Sequence, residues 1–358
     1  MVISSMHEQG ETRAVPHTVL YAFCADCFEK LGLTRADAEV TADNLIFANL
    51  RGVDSHGIIR LKVYADRLRA GGNSPKAQPF IIRDGNTSAL IDADNGLGQV
   101  AAVQAMRLAI EKAGRFGIGV TGVRNSNHFG AAAYYAMMAV EHDMIGFALT
   151  NASPTMAPAG GREARLGNNP FAVAIPAGDQ PPLVLDMASG AVAKGKIFVA
   201  QQEKKKIPLS WALDKNGVPT DDPDKAAEGL IQPLGGYKGY GISLILDILT
   251  GVLCGSGFAT HVGMMYGSTD QPTRTAHSFG ALRVDCFTQP NDFKQRIDEM
   301  VHLMRSCPPA PGAERIYVPG EIELETQSRR EAQGIPVSPA LMQELVAVGR
   351  GLGVQLEF

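Results

Sequence analysis

Residues 117–123 read Gly117-Ile118-Gly119-Val120-Thr121-Gly122-Val123, and the first six match the G-x-G-x-x-G pattern of Rossmann dinucleotide-binding loops. In that fold a strand precedes the glycines and a helix follows them, so that a pyrophosphate meets the helix N-terminus. Here a helical pattern precedes the glycines, and residues 119–123 themselves have the pattern of a strand. We therefore predict a strand of a non-Rossmann fold, in which other loops hold any dinucleotide.

Helical and extended patterns alternate around this strand, and helical patterns occupy both ends of the chain. The predicted helices cover residues 17–31, 34–50 with Thr34 as the N-cap, 57–70, 98–113, 130–142, 189–202, 239–253, 292–306 and 339–351. The other predicted strands cover residues 80–83, 89–92, 145–150, 171–175, 183–186 and 281–287, and Asn216-Gly217 predicts a hairpin turn. This alternation predicts an α/β or α+β fold, and the apolar run 239–253 predicts a buried helix.

The same patterns divide the chain into two predicted domains. Residues 1–75 together with about 335–358 are predicted to form a helical domain, and residues 76–334 a sheet domain that binds a cofactor. A smaller inserted subdomain is expected around residues 124–165, where the segment 151–170 is rich in proline, glycine and asparagine. A loop of that length in a compact domain is usually functional or disordered.

Composition excludes several classes of protein. The 358 residues are 45% hydrophobic and 20% charged with a net charge of −4, which is typical of a globular enzyme and gives no basic stripe for a nucleic acid. The first twelve residues lack the layout of a signal peptide, and the apolar run 242–255 is too short to span a membrane. The odd number of five cysteines fits a reducing cytoplasm, and Cys24 and Cys27 lie within a helical pattern that favours a structural role.

The segment Asp54-Ser55-His56-Gly57-Ile58-Ile59-Arg60 carries several polar side chains in seven residues. If residues 57–70 are helical, His56 and Arg60 share a face that Tyr64 continues one turn later. Two groups of the same sign on one face predict a shared anionic ligand, and the planar fork of arginine matches a carboxylate. An exposed helix start capped by Ser55 or Asp54 explains the segment equally well.

Two further segments offer groups for acid–base chemistry. His128 follows a predicted strand, between amide side chains, where it could exchange a proton near neutral pH or cap the helix predicted from residue 130. Asp186 ends an apolar strand, where it could orient a histidine or cap the helix that follows Ser189.

Two glycine-containing segments could contact a cofactor. Lys238 lies in Gly235-Gly236-Tyr237-Lys238-Gly239-Tyr240-Gly241, and glycines with a lysine at a helix N-terminus form an anion site, although the sequence is not a Walker A motif. Pro319-Gly320-Glu321 could bind ribose hydroxyls through its carboxylate or form a surface turn.

Together these segments resemble the type 2 malate/L-lactate dehydrogenase family, which also contains ureidoglycolate dehydrogenase, sulfolactate dehydrogenase, diketogulonate reductase and Δ1-piperideine-2-carboxylate reductase. The resemblance covers about residues 17–336. It rests on the order and spacing of RGVDSHGIIR (51–60), Asn127-His128-Phe129-Gly130, Gly167-Asn168-Asn169-Pro170, Asp186-Met187-Ala188, Lys238-Gly239-Tyr240-Gly241 and Pro319-Gly320-Glu321.

The resemblance implies a non-Rossmann dinucleotide-binding fold with a largely antiparallel or mixed sheet wrapped by helices. It implies a homodimer with sites near the subunit interface, and NAD as cofactor with NADP as the alternative. The residues that it places in catalysis are His128, His56, Arg60 and Asp186, and those on the substrate side are Ser55, His56, Arg60 and Tyr64. The residues that it places at the cofactor are His56, His128, Asn151, Ala152, Ser153, Asn169, Asp186, Met187, Ala188, Lys238, Gly320 and Glu321.

By this resemblance the protein is expected to interconvert a 2-hydroxy acid and a 2-oxo acid, with malate or lactate as the leading substrates. Ureidoglycolate and cyclic imino acids are alternatives, because they need the same carboxylate clamp. A metal-dependent hydrolase or lyase using His56, His128 and Asp186 as ligands is a rival of another class, although no HxH or HExxH spacing supports it. A catalytically silent binding protein on an enzyme fold is a second rival.

Overall fold

A computed structural model describes residues 12–357 of the chain. The first part begins with helices and continues with six of the seven strands of the central sheet. In order, the elements are β1 (Arg13–Val15), α1 (His17–Lys30), α2 (Arg35–Leu50), α3 (Leu61–Ala70), β2 (Phe80–Asp84), β3 (Ser88–Asp92), α4 (Gly98–Phe116), β4 (Ile118–Ser126), α5 (Ala132–Val140), β5 (Met144–Thr150), β6 (Phe171–Ile175) and β7 (Leu183–Met187).

The second part completes the sheet and returns to the helical end. In order, the elements are α6 (Lys194–Gln202), β8 (Ala212–Leu213), β9 (Pro219–Thr220), α7 (Pro223–Glu228), β10 (Leu230–Ile231), α8 (Tyr237–Asp247), β11 (Thr275–Arg283), α9 (Pro290–Arg305), α10 (Glu321–Gln333), β12 (Ile335–Val337) and α11 (Pro339–Arg350). A π-helical turn, Ile248–Val252, extends α8.

The central sheet has seven strands in the order β2-β3-β4-β11-β5-β6-β7. Only β3 and β4 pair in parallel, and every other neighbouring pair in this sheet is antiparallel. Helices α4 and α5 pack against it. The prediction of a largely antiparallel, mixed sheet wrapped by helices is therefore confirmed.

The glycines of the G-x-G-x-x-G match lie in and beside β4, where they permit close packing. A Cβ atom at Gly119 would lie 2.0 Å from the carbonyl oxygen of Ala109 in α4, and one at Gly122 would lie 2.6 Å from the Sγ of Cys254. Gly117 ends α4 with a φ of 89°, which disfavours a side chain. The glycines thus bring a helix close to the strand, and this segment is not a phosphate-binding turn.

The described residues contain three buried apolar clusters. The largest lies between the central sheet and helices α4 and α5. A second joins α1, α2 and α3 with α11 and the pair β1–β12, so that residues near both ends of the chain share one core. A third, smaller cluster involves α6, α7, β8 and β10. It lies mostly later in the chain than the subdomain predicted around residues 124–165. In that segment, β5 is a strand of the central sheet and α5 packs against the sheet.

Local signals of the sequence account for several boundaries. The hydroxyl of Thr34 accepts a hydrogen bond from the backbone N–H of Asp37 and caps α2, as predicted. Asn216 and Gly217 connect the antiparallel pair β8–β9, and Gly217 has a φ of 83°. Cys24 and Cys27 are buried on α1, where burial raises the pKa of both thiols, as expected for structural cysteines.

The prediction of one helix over residues 57–70 is wrong at its start. Two 3₁₀ turns, Asp54–His56 and Ile58–Arg60, precede α3, and Gly57 between them has a ψ of −148°, which is outside the helical region. The side chain of Asn49 causes this break, because its Oδ1 accepts the N–H of Ile58 at 2.7 Å. A Cβ at Gly57 would lie 2.0 Å from the same oxygen, so any other residue there would displace the amide of Asn49.

The helix predicted over residues 239–253 forms, but the prediction that it is buried is wrong. It begins at Tyr237, and the exposed fraction of Ile245 is 55% and that of Leu253 is 68%. Seven large apolar side chains on this segment are exposed, namely Ile242, Leu244, Ile245, Ile248, Leu249, Val252 and Leu253. The apolar pattern correctly indicated a face that avoids water, but this chain alone does not cover that face.

Other differences concern element ends. The strand predicted at 281–287 is β11, which begins at Thr275 and ends at Arg283 before a 3₁₀ turn. Helix α6 begins at Lys194, later than predicted. Helix α10 was not predicted, because its sequence is polar and none of its residues is buried. Among the described residues, no helix is both long enough and apolar enough to cross a membrane.

Candidate active site

Hydrogen bonds of Asn127 fix the loop between β4 and α5. Its buried Nδ2 donates to the carbonyl oxygen of Gly96 at 2.8 Å and to the side chain of Asn95 at 3.0 Å. Its Oδ1 accepts the hydroxyl of Thr273 at 2.9 Å. The start of α4 also presses on this loop, since a Cβ at Gly98 would lie 2.3 Å from the carbonyl oxygen of Asn127. The following residue, His128, is therefore held rigidly.

His128 is half-buried and contacts α3 through its Nδ1 atom. The hydroxyl of Tyr64 lies 2.6 Å from Nδ1, and the backbone N–H of Gly130 donates to the same atom at 3.3 Å. The side chain of Gln99, at the start of α4, donates from Nε2 to the hydroxyl of Tyr64 at 3.0 Å. Tyr64 was predicted on the substrate side, and in the structure its hydroxyl is directed at His128.

His56 and His128 lie together although 72 positions separate them in the sequence. Their rings stack with centroids 5.3 Å apart and an interplanar angle of 26°. The Nδ1 of His56 lies 2.9 Å from the hydroxyl of Ser55, which fixes the ring on its 3₁₀ turn. The structure thus brings together the two histidines that the sequence predicted as separate candidates.

Arg60 borders the two histidines and has no ion pair to any carboxylate within residues 12–357. Its Nε donates to the carbonyl oxygen of Ser55 at 2.6 Å, and its guanidinium lies 5.6 Å from the ring centre of Tyr266. Arg67, one turn beyond Tyr64, holds the loop of Tyr266 by donating to several of its carbonyl oxygens, that of Gln271 among them at 2.6 Å. The guanidinium of Arg60 is thus held in one orientation, and its positive charge remains unpaired and available to an anionic ligand.

Burial and like charges keep both histidines neutral at neutral pH. Burial, and then the positive charge of Arg60, lowers the pKa of His56 to about 4. The pKa of His128 is lowered well below 6.5 by burial first, and then by Arg60, His56 and His277. A bound carboxylate would offset the charge of Arg60 and so raise both pKa values.

Asp186 contacts neither histidine and does not cap the helix after Ser189. Its Oδ2 instead accepts the N–H of Ala133 at 2.8 Å, in the first turn of α5. Burial raises the pKa of Asp186 to about 6, although this hydrogen bond and the charge of Arg51 act in the opposite direction. Both interpretations of Asp186 from the sequence, as a partner of a histidine and as the cap of the next helix, are therefore wrong. The N–H group that it binds belongs to α5, which is distant in the sequence. Met187 ends β7, and Ala188 follows it.

The predicted cofactor residues after β5 are tied into the framework. The buried side chain of Asn151 bonds to Asp247 and to the carbonyl oxygen of Gly257. The Oδ1 of Asn169 accepts the N–H of Ala152 at 2.9 Å. The hydroxyl of Ser153 donates to the carbonyl oxygen of Gly263 at 2.6 Å. These side chains hold the loop, and the surfaces left for a ligand are mainly its backbone and Ala152.

Two helix starts carry the remaining predicted residues. Lys238 is exposed in the first turn of α8, after Gly235 and Gly236, which both have positive φ. Gly320 caps α10 with a φ of 91°, and a Cβ there would lie 3.0 Å from Val184 of β7. The N–H of Val184 donates to the carbonyl oxygen of Pro319 at 3.0 Å, which attaches this turn to the strand of Asp186.

Glu321 follows this turn and is held by two arginines. Its Oε1 accepts from Arg305 at 3.1 Å and from Arg315 at 3.2 Å, and its Oε2 accepts the N–H of Val318 at 3.0 Å. The carboxylate therefore has fixed partners in the protein. Pro319-Gly320-Glu321 is a helix start and not a free surface turn.

Two residues that contact this cluster, Gln99 and Tyr266, were not singled out from the sequence, and neither was Arg67, which holds the loop of Tyr266. Gln99 is a single polar side chain in the apolar start of α4, and that contrast was the available signal. Tyr266 and Arg67 gave no signal, because their contacts join segments that are distant in sequence. Across residues 12–357, no group of three or more His, Cys, Asp or Glu side chains converges as metal ligands would. His56, His128 and Asp186 therefore do not form the cluster that the hydrolase alternative requires.

Comparison with known proteins agrees with this geometry. A family model described as malate/L-lactate dehydrogenase matches residues 15–346. A malate dehydrogenase from Pyrococcus abyssi is 41% identical over 349 residues, which cover 95% of each chain. The NAD(+) ureidoglycolate dehydrogenase of Escherichia coli is 34% identical and covers 88% of this chain and 90% of that protein.

Solved structures show the same fold. The sulfolactate dehydrogenase of Methanocaldococcus jannaschii superposes with a TM-score of 0.91 at 38% identity, and the match covers 96% of this chain and 98% of that one. Sequence and structure agree over nearly the full length of both proteins. The chain therefore belongs to the malate/L-lactate dehydrogenase family.

Proposed function

We propose that this hydroxy-acid dehydrogenase acts on a small 2-hydroxy or 2-oxo acid of the malate or lactate type, with NAD as its preferred cofactor. The observation that carries the proposal is the unpaired guanidinium of Arg60 beside the stacked rings of His56 and His128. An arginine without a carboxylate partner, next to a group that can carry a proton, suits a substrate with a carboxylate adjacent to its reacting carbon.

In the proposed mechanism Arg60 binds the substrate carboxylate and fixes the neighbouring carbonyl carbon for attack. Bound nicotinamide supplies or accepts the hydride. His128 gives a proton to the oxygen when the oxo acid is reduced and takes one from the hydroxyl when the hydroxy acid is oxidised. His56 packs against the ring of His128 and would limit the space left for a substrate beside a bound nicotinamide.

The residues proposed for the cofactor fit a dinucleotide in their chemistry. Lys238 is exposed in the first turn of α8 with no ion pair among the described residues, which suits a pyrophosphate. Backbone groups are available at two places. One is Gly320, which lies close to Val184, and the other is the end of β7, Asp186 to Ala188. We assign Asn151, Ser153 and Asn169 the role of shaping this surface, because their side chains are already bonded to the protein.

A panel of substrates tests the proposed function. The purified protein is assayed at the absorbance of reduced nicotinamide with oxaloacetate, pyruvate, sulfopyruvate, Δ1-piperideine-2-carboxylate and, in the oxidative direction, ureidoglycolate, each with both cofactors. We expect turnover of a dicarboxylic or short 2-oxo acid, faster with NADH than with NADPH. Turnover only of the cyclic imino acid or of ureidoglycolate would reassign the substrate, and no oxidoreduction with any of them would refute the proposal.

We further propose that the protein is a homodimer in the cytoplasm. The exposed apolar side chains of α8 and its π-helical turn lie on successive turns, which is typical of a subunit interface. A second copy of this chain is the occupant that we propose for this face. All five cysteines, which lie within the described residues, are free, as expected in a reducing compartment.

Replacing Ile245 with glutamate should dissociate this dimer, because a charge would be placed among apolar side chains that need a dry partner. We expect light scattering after size-exclusion chromatography to give the mass of two chains for the wild type and of one chain for Ile245→Glu. Val346→Glu is the matched control, since Val346 is 40% exposed on α11 and lies far along the chain from α8. A dimeric Ile245→Glu protein, or a monomeric wild type, would contradict the proposal.

A further inference from the structure

A chain of hydrogen bonds leads from His128 into the core. The hydroxyl of Tyr64 lies 2.6 Å from Nδ1 of His128, and Nε2 of Gln99 lies 3.0 Å from that hydroxyl. Tyr64 is 1% exposed and Gln99 is completely buried, so water does not substitute for either partner. The other amide atom of Gln99, Oε1, is buried and has no hydrogen-bond partner. A buried acceptor without a partner is rare and needs an explanation.

The donors in this chain determine which nitrogen of His128 carries the proton. Because Gln99 donates to the oxygen of Tyr64, the Tyr64 hydroxyl hydrogen is available for Nδ1 of His128. The N–H of Gly130 is also directed at Nδ1. Nδ1 is therefore an acceptor, and the neutral imidazole carries its hydrogen on Nε2. In this form Nε2 cannot take a proton from a substrate hydroxyl.

A half-turn of the Gln99 amide would reverse the direction of these hydrogen bonds. The unpartnered Oε1 would then accept the hydroxyl hydrogen of Tyr64, and the Tyr64 oxygen would accept a hydrogen from Nδ1 of His128. Nε2 would be left with a free electron pair. We propose that Gln99 and Tyr64 are positioning residues that switch His128 between its two tautomers, and that the reversed hydrogen bonds give the form whose Nε2 exchanges a proton with the substrate. This inference rests on the proposed role of His128.

The proton balance of the step is simple. In the oxidative direction the O–H bond of the hydroxy acid breaks, an Nε2–H bond forms, and His128, already holding hydrogen on Nδ1, becomes an imidazolium. The imidazolium has hydrogen on both nitrogens, so it requires the arrangement in which Tyr64 accepts. In the reductive direction the same imidazolium gives its Nε2 proton to the oxygen of the former carbonyl, and the neutral ring again holds hydrogen on Nδ1. The charged or titratable groups that face His128 are Arg60, His56, His277 and Tyr64, and none of them is a carboxylate. The reversed hydrogen bonds and a substrate carboxylate bound at Arg60 would thus both favour the charged ring.

Nitrogen NMR of the ligand-free protein labelled in histidine tests this inference directly. We expect wild-type His128, assigned by comparison with His128→Gln, to show an acceptor Nδ1 and a protonated Nε2 near neutral pH. Gln99→Glu should move the signal of Nδ1 into the protonated range once the introduced carboxylate ionises, because a carboxylate only accepts. Gln99→Met, which has similar volume and no amide, should retain the wild-type tautomer. An identical Nδ1 signal in Gln99→Glu and the wild type between pH 6 and 9 would overturn the proposal.

Kinetics give a second readout. Tyr64→Phe and Gln99→Met should each lower kcat by about tenfold, the scale of one hydrogen bond, and leave KM for the 2-oxo acid within about twofold. Tyr134→Phe is the control, because it removes a hydroxyl that donates to Asp43 elsewhere on the protein. A rise in KM with unchanged kcat in Tyr64→Phe would instead place Tyr64 on the substrate. Since the NMR measurement needs no turnover, failure of the switch can be told apart from failure of the proposed function.

Discussion

Replacing His128 with alanine should lower kcat by roughly 10²–10⁴-fold, which is the usual contribution of a general acid or base. The proton then has to come from water or from a neighbouring side chain. His56 is the competing proton carrier, because its ring lies 5.3 Å from that of His128. His56→Ala should reduce kcat by less, since its Nδ1 is bound to Ser55 and it is not linked to Tyr64.

Steady-state assays of both variants in both directions decide between the two histidines. If His56→Ala loses more activity than His128→Ala, the roles are reversed. His128→Gln serves as the matched control for packing, because it retains a polar side chain of similar size without a group that titrates. Equal kcat values in His128→Gln and the wild type would remove His128 from proton transfer.

The pH dependence follows from the same groups. The pKa of His128 is depressed by burial and by Arg60, so the free protein keeps a neutral imidazole well below pH 6.5. Since kcat/KM reports the free enzyme, its value for the hydroxy acid should stay constant as the pH falls through 6.5. In the ternary complex that we propose, the substrate carboxylate would offset the charge of Arg60, so kcat should decline at a higher pH than kcat/KM.

The sequence predicted the fold where local patterns and packing agree. The order of helix, glycines and strand around residue 119 was sufficient to reject a Rossmann loop, and the structure shows that Gly119 packs against Ala109. The prediction failed where a distant side chain intervenes. Asn49 binds the N–H of Ile58 and interrupts the helix that the pattern favoured, and nothing in residues 54–60 indicates that contact.

The sequence predicted individual residues of the candidate site but not the contacts between them. His56, Arg60 and His128 could be singled out because their residue types suit acid–base and carboxylate chemistry. These residues come into contact because α3 and the loop before α5 both pack against the start of α4. No local sequence pattern indicates this packing. Gln99 therefore escaped notice, although it is the buried residue that contacts Tyr64. Likewise the sequence predicted a histidine or the next helix as the partner of Asp186, whereas the carboxylate accepts its hydrogen bond from the N–H of Ala133.

Replacing Arg60 with alanine should chiefly weaken binding of the substrate carboxylate. Hydrogen bonds to a charged group contribute about 1.5–3 kcal/mol, which corresponds to a rise in KM of roughly 10- to 150-fold. A fall in kcat should accompany it, because a carboxylate that is no longer fixed lets the carbonyl carbon leave the position required for hydride transfer. Removing the charge should also raise the pKa of His128, since Arg60 is the second largest cause of its depression.

Arg60→Lys separates the charge of this residue from its shape. Lysine keeps the positive charge but cannot offer the planar fork, and it loses the contact with the carbonyl oxygen of Ser55 that fixes the guanidinium. We expect KM to lie between those of the wild type and Arg60→Ala, while the pKa of His128 stays close to that of the wild type. Unchanged KM values in both variants would mean that the carboxylate binds elsewhere. A change in the pH profile of Arg60→Ala alone would then show that Arg60 acts only on the charge of His128.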